Sequence, residues 1–289
     1  MTRQVRKAVF PVAGLGSRFL PATKVMPKEM LTLVDKPLIQ YAVEEARAAG
    51  VESFAFVTSQ GKTLIEDHFD SHYELYETLE RRGKEAELAS AKATEIAAGD
   101  LAIMRQHTPL GLGHAVWCAR DFIGNEPFAV ILPDDVILSK TPALKQMVDA
   151  YSKVGGNMVA VEEVPMEQVH RYGILDVDQD DGKIASAKGL VEKPNAEDAP
   201  SNLSIIGRYI QQPEIFDILD KRETGAGGEI QLTDAIAKMI GPMPFHGFRF
   251  DGTRYDCGNK AGFVAANVAF AMAREDVADD VRNMVKDLV

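Results

Sequence analysis

Residues Ala8–Leu31 read AVFPVAGLGSRFLPATKVMPKEML, and the fold is organised around this stretch. A short apolar run at residues 9–13 passes directly into a glycine turn at Gly14 and Gly16, a pattern typical of a buried parallel strand that ends at a loop. Glycines without a Cβ let main-chain N–H groups converge on an anion. The hydroxyl and cationic side chains that follow are Ser17, Arg18, Lys24 and Lys28. The stretch therefore predicts a phosphate-binding loop.

A surface turn with solvated cations is the competing interpretation of this loop. Pro21 and Pro27 favour phosphate binding, because they keep the segment extended and its cations aimed rather than helical. A dinucleotide-binding signature needs a third glycine where Phe19 stands, which disfavours a nicotinamide-dependent dehydrogenase. The Lys-Ser/Thr end of a Walker loop is also missing. What remains is a different way of holding phosphate.

The composition is that of a globular protein with an acidic surface. The 289 residues are 46% hydrophobic and 26% charged, with a formal net charge of −11, which is enough chain for a large α/β core. An acidic chain disfavours nucleic acid as a partner. Any anionic ligand must therefore be held by a local basic cluster, and residues 18–28 supply one.

The cysteines and the amino-terminal residues indicate a cytoplasmic protein. Cys118 and Cys257 are the only cysteines, so neither a disulfide framework nor a thiolate zinc site is predicted, and a reducing compartment fits. No apolar run suits a signal peptide or is long enough to span a bilayer, so we expect no membrane partner.

The first half of the chain predicts a β-α-β unit. A helical pattern runs from Pro37 to Gly50, and Phe54–Thr58 reads as the second strand, which implies parallel pairing. Residues 73–98, rich in Glu, Lys, Arg and Ala, predict an insertion of one or two largely exposed helices. The insertion is either a solvated face or a helical interface between subunits.

Polar residues follow several predicted strands at their carboxyl ends. Residues 128–132 (FAVIL) form a continuous apolar run, typical of a central strand buried on both faces, and the run ends at Asp134. Gln106 follows the strand predicted at residues 101–106. Ligands in open α/β sheets bind at the carboxyl ends of strands, so we expect Gly14, Gln106 and Asp134 to share one crevice.

Beyond residue 161 the periodicity becomes shorter and more strand-like. Strands predicted at residues 172–175, 184–191 and 203–210 indicate a smaller sheet that crosses the first, with a hairpin turn at residues 180–182. Asp256 then lies in a loop before a helix, and the amphipathic tail from Asp276 suits docking to a second subunit. The whole pattern predicts an α/β fold with a mixed, mainly parallel central sheet flanked by helices, and a smaller β lobe.

The string G-x-G-S-R-x-x-P-x-T-K-x-x-P-K-E-M, from Gly14 to Met30, resembles the opening signature of the sugar-nucleotide pyrophosphorylases. These enzymes join a nucleoside triphosphate to a sugar 1-phosphate. The resemblance extends from about Lys7 to about Ala273, and it implies a Rossmann-like nucleotidyltransferase fold. The chain is most similar to the bacterial uridylyltransferase branch, which uses UTP and glucose 1-phosphate. Glu29 and the insertion at residues 73–98 favour that branch over the thymidylyltransferases.

The resemblance also assigns catalytic and metal-binding roles. It implies that Lys28 lies beside the α-phosphate, Arg18 beside the departing pyrophosphate, and that Asp134 and Asp256 hold Mg²⁺. Two hard oxygen ligands suffice for this ion, which keeps water ligands and takes phosphate oxygens directly. Each aspartate alone is more often a cap or turn residue, and Asp135 is a doubtful ligand. No general base is required, because the attacking sugar phosphate is already ionised.

The implied substrate contacts divide into a base side and a sugar side. Contacts to the nucleobase are implied at Ala13, Gly14, Glu29, Gln106 and Gly111. Spacing alone does not separate a base contact at Glu29 from a solvated carboxylate. The amide of Gln106 offers the donor and the acceptor that uracil needs. Contacts to the sugar phosphate are implied at Gly173, Glu192 and Lys193.

We therefore expect a single nucleotidyltransferase domain over residues 1–289. Residues 5–160 would form its nucleotide-binding half, residues 161–260 its sugar-binding half, and residues 261–289 its carboxyl-terminal helices. The resemblance implies a homodimer or homotetramer. A relative that uses dTTP or another hexose 1-phosphate, and a non-catalytic sugar-nucleotide sensor, are the alternatives.

Overall fold

Strands and helices alternate along much of the chain, and a computed structural model describes them over residues 2–288. The strands are β1 Lys7–Pro11, β2 Thr32–Leu33, β3 Lys36–Pro37, β4 Ser53–Thr58, β5 Leu101–Arg105, β6 Phe128–Ile131, β7 Asp135–Leu138, β8 Asn157–Glu163, β9 Gly173–Asp180, β10 Ile184–Glu192, β11 Leu203–Gln211, β12 Phe245–Arg249 and β13 Thr253–Asp256. The helices are α1 Leu38–Ala48, α2 Thr63–Phe69, α3 Tyr73–Arg81, α4 Glu85–Lys92, α5 Leu112–Trp117, α6 Arg120–Ile123, α7 Ala143–Val154, α8 Ile215–Leu219, α9 Leu232–Ala237, α10 Lys260–Met272 and α11 Ala278–Leu288. Residues 1 and 289, the ends of the predicted domain, lie outside the described residues.

One large mixed sheet forms the centre of the structure. Within residues 2–288 it contains nine strands in the order β5-β4-β1-β6-β11-β8-β12-β10-β9. Strands β5, β4, β1 and β6 pair in parallel, as the β-α-β pattern predicts. Antiparallel pairing begins at β11 and includes β10 with both of its neighbours, although β8 and β12 are parallel. The predicted mixed α/β fold is confirmed, and parallel pairing predominates in its first half.

The expectation of a separate, crossing sheet is wrong. The strands of the second half continue the same sheet, because β11 serves both halves. Its last residues pair with β6, while its first residues pair with β8 and contact β9 at Ser204. A register irregularity between Ile205 and Tyr209 interrupts its pairing with β8. Hydrophobic periodicity shows where a strand lies but not which strand it pairs with.

Two apolar layers cover the two faces of the sheet. Alternate residues of a strand point to opposite faces, so Val9 of β1 packs in one layer while Phe10 packs in the other. Strand β6 alternates in the same way between Val130 and Ile131. Helices α5, α8 and α9 cover the first face, and α1, α2 and α7 cover the second. The prediction of a central strand at FAVIL, buried on both faces, is confirmed.

The two largely exposed helices predicted at residues 73–98 are also confirmed. Helices α3 and α4 contain no buried residue and lie on the rim, close to α1 and α2. The guanidinium of Arg47 attaches the end of the insertion by donating to the carbonyl oxygens of Ala93 and Glu95. Its role as a subunit interface stays a prediction. None of the helices within residues 2–288 is long and apolar enough to cross a membrane.

Candidate active site

The glycine turn after β1 packs against a cation of its own segment. Gly16 has a φ of +66°, and a Cβ there would lie 3.0 Å from the Lys28 Cβ and 3.3 Å from the Thr23 Cγ2. Thr23 Oγ1 donates a hydrogen bond of 2.7 Å to the Gly16 carbonyl oxygen. Both the backbone conformation and the close approach favour glycine here. The sequence thus folds Lys28 back beneath the turn.

The segment between the turn and Lys28 is not extended, so that expectation is wrong. It forms short 3₁₀ turns at Ser17–Phe19, Ala22–Lys24 and Lys28–Met30. Pro21 and Pro27 each precede one of these turns, and their fixed φ suits the start of a turn as well as an extended chain. The side chain of Lys24 consequently points to solvent and lines neither of the cavities described below.

Lys28 and Asp134 form the central ion pair of the site. The Lys28 Nζ lies 2.5 Å from Asp134 Oδ2, and each side chain is 24% exposed, so neither side chain is sealed off from the crevice. Burial lowers the pKa of Lys28, but the carboxylates of Asp134 and Glu29 outweigh it and raise that pKa. Burial raises the pKa of Asp134, yet the charges of Lys28 and Arg18 bring it below its usual value. Both groups are therefore charged at neutral pH.

Asp256 faces Asp134 across Gly258. A Cβ on Gly258 would lie 2.9 Å from Asp256 Oδ1 and 3.1 Å from Asp134 Oδ2, so these two oxygens are at most about 6 Å apart. Strand β13 holds this arrangement by pairing with β7, and the Cys257 N–H donates to the Asp134 carbonyl oxygen at 2.7 Å. Arg18 reaches the same place and donates to the Gly258 carbonyl oxygen at 3.3 Å. Residues 134 and 256, distant in sequence, are thus brought together as predicted.

Two cavities meet at Asp134. A cavity of about 320 Å³ is lined by five of the predicted residues: Ala13, Gly14, Lys28, Gln106 and Gly111. A second cavity of about 330 Å³ is lined by five others: Arg18, Gly173, Glu192, Lys193 and Asp256. Asp134, Leu112 and Leu132 line both. The carboxyl ends of β1, β5 and β6 therefore share one crevice, as the sequence predicts, and the crevice continues into the second half of the chain.

The second cavity contains a carboxylate, that of Glu192, whose orientation is fixed by two neighbouring side chains. Thr233 Oγ1 donates a 2.7 Å hydrogen bond to Glu192 Oε2, and Lys193 Nζ lies 3.1 Å from Glu192 Oε1. A Cβ on Gly173 would lie 2.9 Å from Thr233 Cγ2 and 3.2 Å from Glu192 Oε2. Gly173 thus leaves open the space in front of a carboxylate whose orientation is fixed. Such a carboxylate can accept hydrogen bonds from two neighbouring hydroxyl groups.

Comparison with known proteins shows the family of this chain. The family model for nucleotidyl transferases matches residues 7–272. The chain belongs to this nucleotidyl transferase family. A UTP–glucose-1-phosphate uridylyltransferase of Komagataeibacter xylinus is 56% identical over 90% of this chain and 92% of its own. A crystal structure of a UDP-glucose pyrophosphorylase complexed with UDP-glucose superposes with a TM-score of 0.83 at 43% identity, covering 94% of this chain and 100% of the other. A UTP-bound UGPase from Acinetobacter baumannii superposes with a TM-score of 0.89 at 39% identity, covering 99% and 100%.

Nucleotidyltransferases of this kind generally use a divalent metal, and two carboxylates of this transferase fit one. Asp134 and Asp256 offer hard oxygen atoms on either side of Gly258, whose missing side chain leaves the space between them free. No cluster of three or more His, Cys, Asp or Glu suited to a metal occurs in residues 2–288. The donor set therefore suits an ion that completes its coordination with water and phosphate.

Glu29 lines neither of the two cavities. Its side chain is fully buried, so the alternative of a solvated carboxylate is wrong, while its contact with the nucleobase stays a prediction. Glu29 Oε2 instead lies 2.9 Å from the Nζ of Lys62, the residue just before α2. Burial raises the pKa of Glu29, and burial lowers the pKa of Lys62. The transferase thus has a buried ion pair directly beneath Lys28.

Asp135 is occupied by protein groups. Arg254 Nε donates to its Oδ1 at 2.7 Å, and the Gly207 N–H donates to its Oδ2 at 2.8 Å. The doubt about Asp135 as a metal ligand is supported, because its side chain is buried at 8% exposure and its charge is paired with the guanidinium of Arg254 at 2.6 Å. Asp135 instead joins β7, β11 and β13 in the wall of the second cavity.

Sequence reasoning missed several residues of the transferase site. Lys62, Thr233 and Arg254 orient predicted residues, and Arg171 lies 3.3 Å from Asp256 Oδ2. Lys62 has a sequence signal, since it follows Gly61 just after β4, at the same edge of the sheet as the glycine turn. Thr233 and Arg254 have none, because each touches a partner that is far away in sequence.

Proposed function

We propose that this nucleotidyltransferase transfers a uridylyl group from UTP to α-D-glucose 1-phosphate, giving UDP-glucose and pyrophosphate. The carrying observation is that the two cavities meet at the Lys28–Asp134 pair. The first cavity suits the nucleotide, since the glycine turn and Gln106 line it. The second suits the sugar phosphate, since Glu192 and Lys193 line it. One relative of this chain is named as a UTP–glucose-1-phosphate uridylyltransferase, and two similar structures contain UDP-glucose or UTP.

The reaction needs positioning and charge neutralisation more than proton transfer. An anionic oxygen of the sugar phosphate attacks the α-phosphorus of UTP, a new P–O bond forms, and the bond to the β-phosphate breaks. Pyrophosphate leaves with that electron pair. Lys28, at the junction, would neutralise charge at the α-phosphate, and Arg18 would hold the leaving pyrophosphate with its planar fork. Lys193 would neutralise the incoming sugar phosphate.

We further propose that the metal is Mg²⁺ and that Asp134 and Asp256 hold it. When bound, this ion neutralises phosphate charge during the transfer. Asp134 already carries the Lys28 ammonium group, so the same carboxylate would organise both positive charges of the site. Arg18 and Arg171 lie close to Asp256 and would add positive charge on the phosphate side.

The two halves of the chain divide the substrates. We propose that residues 5–160 bind the nucleotide and residues 161–260 the sugar phosphate, within one domain that ends in the carboxyl-terminal helices. Exposed apolar residues on these helices, Val264 at 61% and Met284 at 60%, support a homodimer or homotetramer, which multi-angle light scattering would measure. Both cysteines are free, which supports the proposal that the protein works in the reducing cytoplasm.

Pyrophosphate release tests the reaction. The protein is incubated with each nucleoside triphosphate and each hexose 1-phosphate, with Mg²⁺ or with EDTA. Release with UTP and glucose 1-phosphate that EDTA abolishes is the expected result. Equal release with dTTP would contradict the uridylyl assignment, and release with another hexose would contradict the sugar. Absence of release from every pair, with nucleotide binding retained, would instead indicate a sensor.

A further inference from the structure

The amide of Gln106 is fixed in one orientation in the nucleotide cavity. Gln106 Nε2 lies 3.0 Å from the Gly111 carbonyl oxygen and 3.0 Å from His114 Nδ1. A flipped amide would place Gln106 Oε1 against the carbonyl oxygen, where two acceptors repel. Both amide hydrogens are therefore used inside the protein. Gln106 Oε1 accepts no hydrogen bond from any group in residues 2–288.

His114 can accept from this amide only as one tautomer. The nitrogen Nδ1 must carry a lone pair, which puts the ring proton on Nε2. His114 is buried at 9% exposure on α5, and its ring stacks on Trp117 with 5.6 Å between centroids and 20° between planes. Burial, together with the charge of Arg222, lowers the pKa of His114. A neutral imidazole, held in place by stacking, is therefore the form present at neutral pH.

We propose that His114 is a positioning residue for base selection, which holds Gln106 so that the cavity presents Oε1 as an acceptor to the base. This inference rests on the proposed function and deepens it. The N3–H of uracil donates to such an acceptor, whereas N3 of cytosine carries a lone pair that would face it. A site built for a donor rejects a ligand that lacks it. The device selects UTP over CTP and does not separate UTP from dTTP, which has the same imide.

Two substitutions separate positioning from packing. In His114→Leu the acceptor is lost at similar volume, while in His114→Asn a side-chain oxygen can take the place of Nδ1. Dissociation constants for UTP and CTP are measured by the fluorescence of Trp117, the only tryptophan of the sequence. The UTP preference should fall about tenfold in His114→Leu, which corresponds to about 1.4 kcal/mol, and by no more than about threefold in His114→Asn. An unchanged preference in His114→Leu, or an equal loss in both, would overturn the proposal.

A measurement on the unaltered protein covers the case in which His114→Leu does not fold. Long-range ¹H–¹⁵N correlation spectra distinguish the two histidine tautomers, and His114→Asn identifies the His114 signal among the six histidines. The Nε2–H tautomer is expected, and the Nδ1–H tautomer would overturn the proposal. Measuring binding and pyrophosphate release together distinguishes failure of the proposed function from failure of this inference. A protein that prefers UTP to CTP in binding but releases no pyrophosphate refutes the reaction alone, whereas one without that preference refutes the role of His114.

Discussion

At the scale of single residues, the proposed reaction depends most directly on Lys28. It lines the nucleotide cavity and forms a short ion pair with Asp134, the carboxylate common to both cavities. Because it is partly exposed in a crevice, removing it changes charge at the site more than it changes packing. In the proposed reaction, this position at the junction of the two cavities would place Lys28 beside the α-phosphate.

Lys28→Ala should lower turnover by about 10² to 10³, because a preorganised cation no longer stabilises charge at the reacting phosphate. Far-ultraviolet circular dichroism and the unfolding midpoint should show a folded protein. Lys140→Ala removes an exposed lysine that follows β7 and serves as the matched control. Turnover of Lys28→Ala equal to that of the control would show that the role given to Lys28 is wrong.

The sequence predicts many residues of this site because local pattern identifies them. The glycine turn, Gln106 and Asp134 each follow an apolar run, and their meeting follows from parallel pairing alone. The burial of Glu29 could not be predicted in this way, because it depends on the ion pair with Lys62, which is 33 residues away. The roles of Thr233 and Arg254 likewise depend on side-chain contacts that no spacing encodes.

At the scale of elements, a buried ion pair fixes the loop that carries Asp134. Arg208 of β11 donates to both oxygens of Glu45 on α1, at 2.9 and 2.8 Å, and to the Leu132 carbonyl oxygen at 3.1 Å. Arg208 is 1% exposed. Helix and sheet are thereby joined directly behind the junction of the two cavities.

Arg208→Met should lower the free energy of unfolding by about 3–5 kcal/mol, because Glu45 is left as a buried, unpaired charge. Urea denaturation measures this change. Asp149→Asn breaks the exposed pair between Lys145 and Asp149 and should change stability by less than about 1 kcal/mol. Equal effects of the two substitutions would contradict the assignment of a stabilising role to the buried pair.

The reaction rate of the Cys257 thiol reports whether the paired strands β7 and β13 stay closed. This thiol is 2% exposed, and burial, reinforced by Asp134 and Asp135, raises its pKa to about 12. A raised thiol pKa leaves little thiolate at pH 8, and thiolate is the reactive form.

Cys257 in a Cys118→Ser variant should therefore react with a disulfide reagent about 10³-fold more slowly than a free thiol. Urea should restore the rate. Rapid reaction of the folded protein would show that the paired strands open and that Asp256 is not held.

The pairing of whole strands marks the limit of prediction at this scale. Strand β11 lies where the sequence predicts a strand and is buried along its entire length, but its shared pairing with β6, β8 and β9 does not follow from periodicity. That pairing makes one continuous sheet out of what the pattern suggests are two. The family resemblance supplies the fold class, and the structure supplies the connection.

At the scale of the whole molecule, the proposed function assigns the two substrates to different halves of the chain. Glu192→Gln should lower kcat/KM for glucose 1-phosphate about 10- to 100-fold, because hydrogen bonds to a charged acceptor are weakened, and should change the KM for UTP little. Gln106→Ala should do the reverse. Steady-state kinetics with each substrate varied in turn measures both. Equal effects of either substitution on the two substrates would show that the cavities are not divided in this way.

The crystal structure of the protein with UDP-glucose and Mn²⁺ tests the central claim most directly. We expect uracil beside Gln106, the α-phosphate beside Lys28, glucose against Glu192, and an anomalous Mn²⁺ peak between Asp134 and Asp256. A ligand bound outside the joined cavities, or a metal peak away from those two carboxylates, would contradict this account.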